Sequence, residues 1–162
     1  MISSSTITAV FSGADGMLRR IILKEGISID ARIQFLLYGT RPKGKDRSGA
    51  YLFLPDAAAQ NLKYSCPKIR ILKGPLVSEV TVFLPEVEHR IRVKNTAGLD
   101  SAGLDIYNIV DVTREVNKEL IMRFYTNITN NNQEFFTDLN GFQVRLVHIF
   151  CLFLIIFSFM FV

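Results

Sequence analysis

Tryptophan is absent from this 162-residue chain, and cysteine and histidine occur only twice each, as Cys66, Cys151, His89 and His148. No CxxC pair and no Cys/His spacing typical of a metal site is present, whereas zinc needs three or four convergent ligands. Cys151 lies inside an apolar segment, so a disulfide with Cys66 is not expected. The sequence therefore predicts no metal site, and its cysteines do not define the redox compartment.

Composition indicates one folded domain without a strong charge bias. Hydrophobic residues make up 49% of the chain and charged residues 21%, which excludes wholesale disorder, and the length suffices for one core. The net charge is +4, and its main concentration is a short stretch of basic residues around Asp46, namely Arg41, Lys43, Lys45 and Arg47. Nucleic-acid binding normally needs a larger basic footprint. We interpret this stretch as a solvated hairpin loop and expect no nucleic-acid partner.

Alternation of apolar and polar residues dominates the chain and predicts β-strands. The clearest case is residues 86–94, where Val87, His89, Ile91 and Val93 face one way and charged residues face the other. Further strands are predicted at 6–11, 18–23, 29–37, 51–54, 69–72, 77–84, 106–112 and 120–126, and a short helical turn at 113–118. Strands with one apolar face, separated by Gly- and Pro-containing turns, predict an antiparallel all-β sandwich.

Two groups of polar residues are candidates for a metal or catalytic site, but each has a simpler structural interpretation. His89 is flanked by Glu86 and Glu88, but alternation places it on the opposite face from both glutamates. We therefore predict a histidine at the edge of the core with a hydrogen-bond partner. The sequence Asp-Leu-Asn-Gly at 138–141 is interpreted as a hairpin turn.

The stretch 48–56 reads Ser-Gly-Ala-Tyr-Leu-Phe-Leu-Pro-Asp and contains a candidate contact residue, Tyr51. The small residues Gly49 and Ala50 allow a ligand or another backbone to approach its ring. The alternative is a strand tyrosine whose ring fills the sandwich and whose hydroxyl bonds to a backbone group.

This stretch and five other segments resemble the C-terminal β region of the alpha-mannosidase II group in glycoside hydrolase family 38. The segments occur in the same order along both chains and lie here at 34–40, 46–56, 78–80, 89–92, 108–112 and 136–143. The resemblance covers about residues 11–144. It implies that residues 1–144 form part of a galactose-mutarotase-like β-supersandwich.

The resemblance also implies a function. Members of this family are zinc-dependent retaining glycosidases that hydrolyse α-linked mannose during N-glycan processing in the Golgi lumen. Their nucleophile, their acid/base and their zinc ligands belong to an N-terminal catalytic domain that this sequence does not contain. The chain is therefore expected to be an inactive fragment with no catalytic residue, no metal ligand and no cofactor of its own. Its partners would be a mannose-containing glycan and the catalytic domain of the same parent chain.

We predict one substrate-binding residue and one glycosylation site. The family's Ser-Gly-Ala-Tyr motif matches residue for residue, which implies that Tyr51 reaches the catalytic pocket and hydrogen-bonds the bound mannose. Asn127 begins an Asn-Ile-Thr acceptor sequence for N-glycosylation in a polar turn, which agrees with a secretory-pathway lumen.

The C-terminal segment 145–162 departs from the family pattern. Residues 149–162 are apolar except Ser158, and adding Leu146 and Val147 gives a run near the lower limit of about 17 residues for a spanning helix. Three interpretations stay open: translated non-coding sequence, which we favour because the family continues with polar sequence, a membrane anchor over 146–162, and a buried strand or helix. No signal peptide is visible at the start. We interpret the chain as an internal piece of a longer enzyme.

An alternative function is a stand-alone carbohydrate-binding or membrane-tethered β-sandwich without enzymatic activity. It predicts an aromatic platform on one face, to which Phe53, Tyr64, Tyr107 and Tyr125 are candidate contributors.

Overall fold

The computed structural model describes residues 1–41, 48, 53–129, 134–138, 144–148 and 155–161. Within these ranges the chain forms thirteen β-strands and one short 3₁₀ helix, Leu99–Ala102. The strands are β1 Ile2–Ser3, β2 Ile7–Phe11, β3 Leu18–Leu23, β4 Ser28–Gly39, β5 Gln60–Asn61, β6 Lys68–Lys73, β7 Val77–Phe83, β8 Val87–Lys94, β9 Asp105–Val110, β10 Lys118–Thr126, β11 Glu134–Asp138, β12 Val144–His148 and β13 Ile155–Phe161.

The strands form two main antiparallel sheets and a hairpin. The larger sheet has the order β1-β2-β3-β4-β10-β13, with the short β5 also paired to β4. The smaller sheet has the order β6-β7-β8-β9, and β11 pairs with β12 alone. Every strand pair among the described residues is antiparallel. This confirms the predicted all-β class.

The core lies between the two main sheets, because each sheet turns one apolar face toward the other. The larger sheet contributes residues from β4 and β10, and the smaller sheet contributes residues from β7 and β8: Ile33, Phe35, Leu120, Met122, Val80, Val82, Ile91 and Val93. The alternation read from β8 is confirmed, since its odd-numbered residues are buried and its even-numbered residues are half-buried. Burial of these alternating faces is the main force that holds the sandwich together.

Most predicted strands agree with the structure to within two residues at each end. The short helical turn expected at 113–118 is not present, and the strand expected at 51–54 lies partly outside the described residues. Thr113 and Arg114 lie in a turn closed by Glu115 N–H donating to Val112 C=O at 2.9 Å, and Lys118 already begins β10. Of the strand predicted at 51–54, only Phe53 and Leu54 lie within the described residues, and neither is in a strand.

Strands near the end of the chain extend the larger sheet and form the separate hairpin. β13 pairs with β10 from Lys118↔Phe161 to Phe124↔Ile155. β11 and β12 pair from Asp138↔Val144 outward, as expected if the residues between them make a hairpin turn; residues 139–143 lie outside the described part. No helix in the described part of the chain has the length and apolarity required to cross a membrane.

Candidate functional site

The segment that contains Tyr51 is tied together at its two ends. Tyr51, Gly49 and Ala50 lie outside the described residues, but Ser48 and Leu54 are described. The Ser48 Oγ accepts the Leu54 N–H at 2.9 Å and donates to the Leu54 carbonyl at 2.6 Å. Tyr51 is the middle residue of the seven from Ser48 to Leu54. The hydroxyl of Ser48 therefore closes the short loop on which the sequence places the candidate tyrosine.

The end of β4 anchors this loop to the larger sheet. Arg41 N–H donates to the Leu54 carbonyl at 2.9 Å, and Ser48 N–H donates to the Arg41 carbonyl at 3.1 Å. Thr40 forms an isolated bridge with Pro55. Backbone hydrogen bonds through Arg41 thus hold Ser48 and Leu54, the described residues on either side of Tyr51 in the sequence, next to the end of β4.

Gly39 allows the chain after the loop to approach β4 closely. Asp56 N–H donates to the Gly39 carbonyl at 3.0 Å, and a Cβ added at Gly39 would lie 2.5 Å from Asp56 Oδ2. One residue earlier, Tyr38 packs edge-on against Phe53 with ring centroids 6.0 Å apart. Residues 38–40 thus hold residues 53–56 against the end of β4.

The four aromatic residues proposed as a sugar platform lie in different places. Phe53 packs on Tyr38, and Tyr107 is exposed on the outer face of the smaller sheet, where the Arg92 guanidinium lies 5.1 Å from its ring centroid. Tyr64 lines a cleft of about 470 Å³ and Tyr125 lines another of about 370 Å³, both beside β4. They do not form a single flat platform.

Asn127 is exposed at the end of β10. Its Oδ1 accepts the Asp30 N–H at 3.0 Å, and its own N–H donates to the Asp30 carbonyl at 3.3 Å. The carbonyl side of the amide thus faces β4, which leaves Nδ2, the atom that a glycan would modify, on the other side of the group. Ile128 and Thr129 are exposed as well.

His89 lies on the core face of β8 and has a hydrogen-bond partner, as predicted, but it lies in the interior of the core and not at its edge. Only 1% of its surface is exposed, its Nδ1 lies 2.7 Å from Asn108 Oδ1, and its ring packs edge-on against Phe35 at 5.2 Å. Burial lowers the pKa of His89, although the bond to Asn108 acts in the opposite direction. A neutral imidazole wedged between two sheets is a packing element and has no access to solvent.

The sequence did not predict a charged network that lies on the outer face of the smaller sheet. The Glu79 side chain is 6% exposed although alternation turns it away from the core. It accepts the Thr81 hydroxyl at 2.7 Å and hydrogen bonds with the Arg92 guanidinium, and Arg70 Nη2 lies 3.6 Å away. Burial favours the protonated form of Glu79, but the bonds from Thr81 and Arg92 and the charges of Arg92 and Arg90 prevail and lower its pKa. Only the cross-strand register, with Glu79 between Leu72 and Arg92, reveals this arrangement.

The described residues do not fit a zinc ion. Among them, no three His, Cys, Asp or Glu side chains come together as a group that could hold a metal. His89, with its one nitrogen bonded to an amide oxygen and its ring between two sheets, has no second ligand beside it. We therefore assign no metal chemistry to the described part of the chain.

Comparison with known proteins places this sandwich in a family. The glycosyl hydrolases family 38 C-terminal domain matches residues 2–145. Alpha-mannosidase 2 of Mus musculus is 37% identical over 139 residues, Alpha-mannosidase 2x of the same species is 41% identical over 146 residues, and Alpha-mannosidase 2 of Drosophila melanogaster is 39% identical over 137 residues. These alignments cover 85%, 89% and 84% of this chain but 12% of each relative. The chain thus spans about an eighth of the length of these relatives.

Proposed function

This chain belongs to the glycosyl hydrolases family 38, whose C-terminal domain matches residues 2–145, and from that premise we propose that it is a segment of an alpha-mannosidase. The proposed reaction of the parent enzyme is hydrolysis of α-linked mannose during N-glycan processing. The observation that carries the proposal is the match itself, which extends over nearly all of the described sandwich and is accompanied by relatives named as alpha-mannosidases.

The role proposed for this segment is to supply a sugar-contacting residue to a catalytic domain elsewhere in the parent chain. Tyr51 is that residue, and its hydroxyl hydrogen-bonds the bound mannose. The bonds of Ser48 and Arg41 to Leu54 support this role, because they fix both ends of the loop that contains Tyr51. Bonds that fix the residues on either side of a contact residue reduce the entropy that is lost on binding, which favours a defined contact.

The chain alone is proposed to be inactive. Retaining glycosidases need two carboxyl groups about 5 Å apart on either side of the scissile bond, and we place those groups and the zinc ligands in the catalytic domain of the parent enzyme. The tyrosine hydroxyl would then orient the substrate and would not itself exchange a proton with the leaving group.

We place the protein in the Golgi lumen. The exposure of Asn127, Ile128 and Thr129 supports this location, because an acceptor sequence in an exposed turn leaves room for an attached glycan. The proposal includes N-glycosylation at Asn127.

A chimera tests the function directly. Residues 2–145 would replace the matching segment of mouse Alpha-mannosidase 2, and turnover of an aryl α-mannoside would be measured. We expect the chimera to hydrolyse it, and Tyr51→Phe to lower kcat by about tenfold, the effect of one hydrogen bond of roughly 1.4 kcal/mol. Tyr107→Phe is the matched control, since Tyr107 is exposed on the smaller sheet.

Two results would count against the proposal. A folded chimera without hydrolysis would mean that this segment cannot serve an alpha-mannosidase. Equal kcat for Tyr51→Phe and the unmodified chimera, with equal melting temperatures, would remove Tyr51 from the substrate site.

A further inference from the structure

One edge of β4 has a gap. On its side away from β10, β4 pairs with β3 through residues 28–30 and with β5 through Leu36 and Leu37. The next backbone bond on that side is from Leu62 N–H to the Phe35 carbonyl at 2.9 Å. Residues 31–34 have no strand partner there among the described residues. At about 3.3 Å per residue the gap is roughly 13 Å long.

A cleft of about 470 Å³ opens at this gap. Its apolar floor consists of Ile33, Phe35 and Leu62, all buried. Tyr64 lines the cleft and is 37% exposed, so part of its surface is open to solvent. A cleft of this size, with an apolar floor and one accessible aromatic ring, has the dimensions of a small-ligand site.

The polar groups of the cleft both donate and accept hydrogen bonds. Three of them are primary amides, those of Gln34, Gln60 and Asn61. Each amide offers two donors and one acceptor oxygen. Neighbouring hydroxyl groups of a sugar require this mixture, because each hydroxyl donates one bond and accepts others.

Two of the three charged side chains that line the cleft form an ion pair with each other. Asp15 Oδ2 lies 2.6 Å from Arg19 Nη2, and Asp15 Oδ1 accepts the Met17 N–H at 3.0 Å. Asp15 and Arg19 are thus held in place before any ligand arrives, and Lys63 is the remaining cation of the lining. An ion pair that is already formed favours a neutral polar ligand over an anion.

The geometry excludes an added peptide strand. β3 and β5 lie on the same edge of β4, one at each end of the gap. A peptide strand of the commonest length, about five or six residues, is longer than the four-residue gap and would run into both strands. A compact ligand fits the gap, and a strand does not.

We propose that this cleft is a second glycan-contacting site, which binds one neutral hexose unit of a mannose-containing glycan. Tyr64 stacks on the apolar face of the sugar ring, and the amides of Gln34, Gln60 and Asn61 bond to its hydroxyls. Of the described residues near Tyr51, Ser48 and residues 53–56 do not line this cleft. The choice of a mannose-containing glycan rests on the proposed function, whereas the preference for a neutral sugar follows from the lining.

Ligand-observed NMR on the 162-residue chain tests binding itself. Mannose-containing oligosaccharide, a sialylated oligosaccharide and an unrelated extended peptide would each be added at the same concentration. We expect saturation transfer to the neutral oligosaccharide alone, with loss of the signal in Tyr64→Ala and retention in Tyr107→Ala. A signal that Tyr64→Ala leaves unchanged would overturn the site, and stronger transfer to the sialylated glycan or to the peptide would overturn the ligand class.

The chimera described above separates this proposal from the function. With an oligomannose substrate we expect Tyr64→Ala to raise KM about tenfold, the loss of one aromatic contact, at unchanged kcat. With a small aryl mannoside it should change neither value, because that substrate does not reach the cleft. An active chimera in which Tyr64→Ala leaves the oligomannose KM unchanged overturns the second site and leaves the function standing. An inactive chimera overturns the function, and the NMR experiment then decides the site independently.

Discussion

His89 and Asn108 face each other across β8 and β9, with His89 Nδ1 2.7 Å from Asn108 Oδ1. The amide nitrogen of Asn108 lies 3.3 Å from the Met122 sulfur on β10 and donates to it. The Asn108 oxygen is therefore the acceptor, and His89 carries its proton on Nδ1. With Phe35 against the imidazole, this pair joins the two sheets at the centre of the sandwich.

Removal of the Asn108 amide should destabilise the protein. In Asn108→Ala the buried Nδ1–H of His89 loses its partner, and an unsatisfied buried donor costs about 1–3 kcal/mol. Urea unfolding followed by circular dichroism measures this change. Tyr107→Phe, on the exposed side of the same strand, is the control and should unfold like the unmodified chain. Equal midpoints for Asn108→Ala and the control would show that the pair contributes nothing.

The same histidine makes stability depend on pH. Burial lowers the pKa of His89 in the folded state, so below about pH 6.5 the unfolded chain binds a proton that the folded chain does not. The unfolding free energy should thus fall as pH decreases from 7.5 to 5.5, by at most about 1.4 kcal/mol per pH unit. His89→Gln should flatten this dependence. A slope of equal size in the variant would assign the effect to another group.

Glu79 should stabilise the smaller sheet only while it is ionised. Glu79→Gln keeps the shape but removes the charge that faces Arg92 and Arg70, and we expect a loss of about 1.5–3 kcal/mol at pH 7, the range for hydrogen bonds to charged groups. Because the folded-state pKa of Glu79 is lowered, the difference should shrink as pH falls through that pKa. Glu88→Gln is a matched control, as Glu88 pairs with Arg90 but is one-quarter exposed. A loss that stays constant down to pH 3 would contradict this account.

The Ser48 hydroxyl should position the loop that contains Tyr51. In the chimera, Ser48→Ala removes both side-chain bonds to Leu54, and we expect kcat to decrease by several-fold at nearly unchanged KM, since an orienting contact acts in the transition state. Ser48→Thr keeps a hydroxyl and should restore most of the activity. Failure of threonine to restore it, with both variants equally folded, would show that the hydroxyl is not the cause.

Asn127 should carry one N-linked glycan when the chain is made in a secretory lumen. Its Nδ2 would form a bond to C1 of the sugar of a lipid-pyrophosphate-linked oligosaccharide, with release of the lipid pyrophosphate and loss of one amide proton to a base of the transferase. Residues 127–129 are the one Asn-x-Ser/Thr sequence of the chain, so glycosidase treatment should produce a single mass shift. Asn127→Gln and Thr129→Ala should each abolish it. A shift that survives both substitutions would exclude this site.

Local sequence was sufficient for several assignments. Alternation along residues 86–94 placed His89 on the opposite face from Glu86 and Glu88, because successive side chains of a strand point to opposite faces regardless of what lies around them. Alternation alone gives no reason for the burial of Glu79, which lies on the face of β7 turned away from the core. Thr81 lies on the same strand as Glu79, but Arg70 and Arg92 come from the neighbouring strands, and a strand's own sequence contains no information on its neighbours' register.

The sequence by itself determined the all-β class, the inward face of each main strand and the resemblance to family 38, since these depend on residue order and short periods. Tertiary structure decided which distant groups meet. Ser48 reaches across six residues to Leu54, Asn127 pairs with Asp30, and the ends of β3 and β5 leave a gap beside Ile33. Such contacts depend on how the backbone turns and on strand register, in the case of Asn127 and Asp30 between segments far apart in the chain, and only the folded sandwich brings them together.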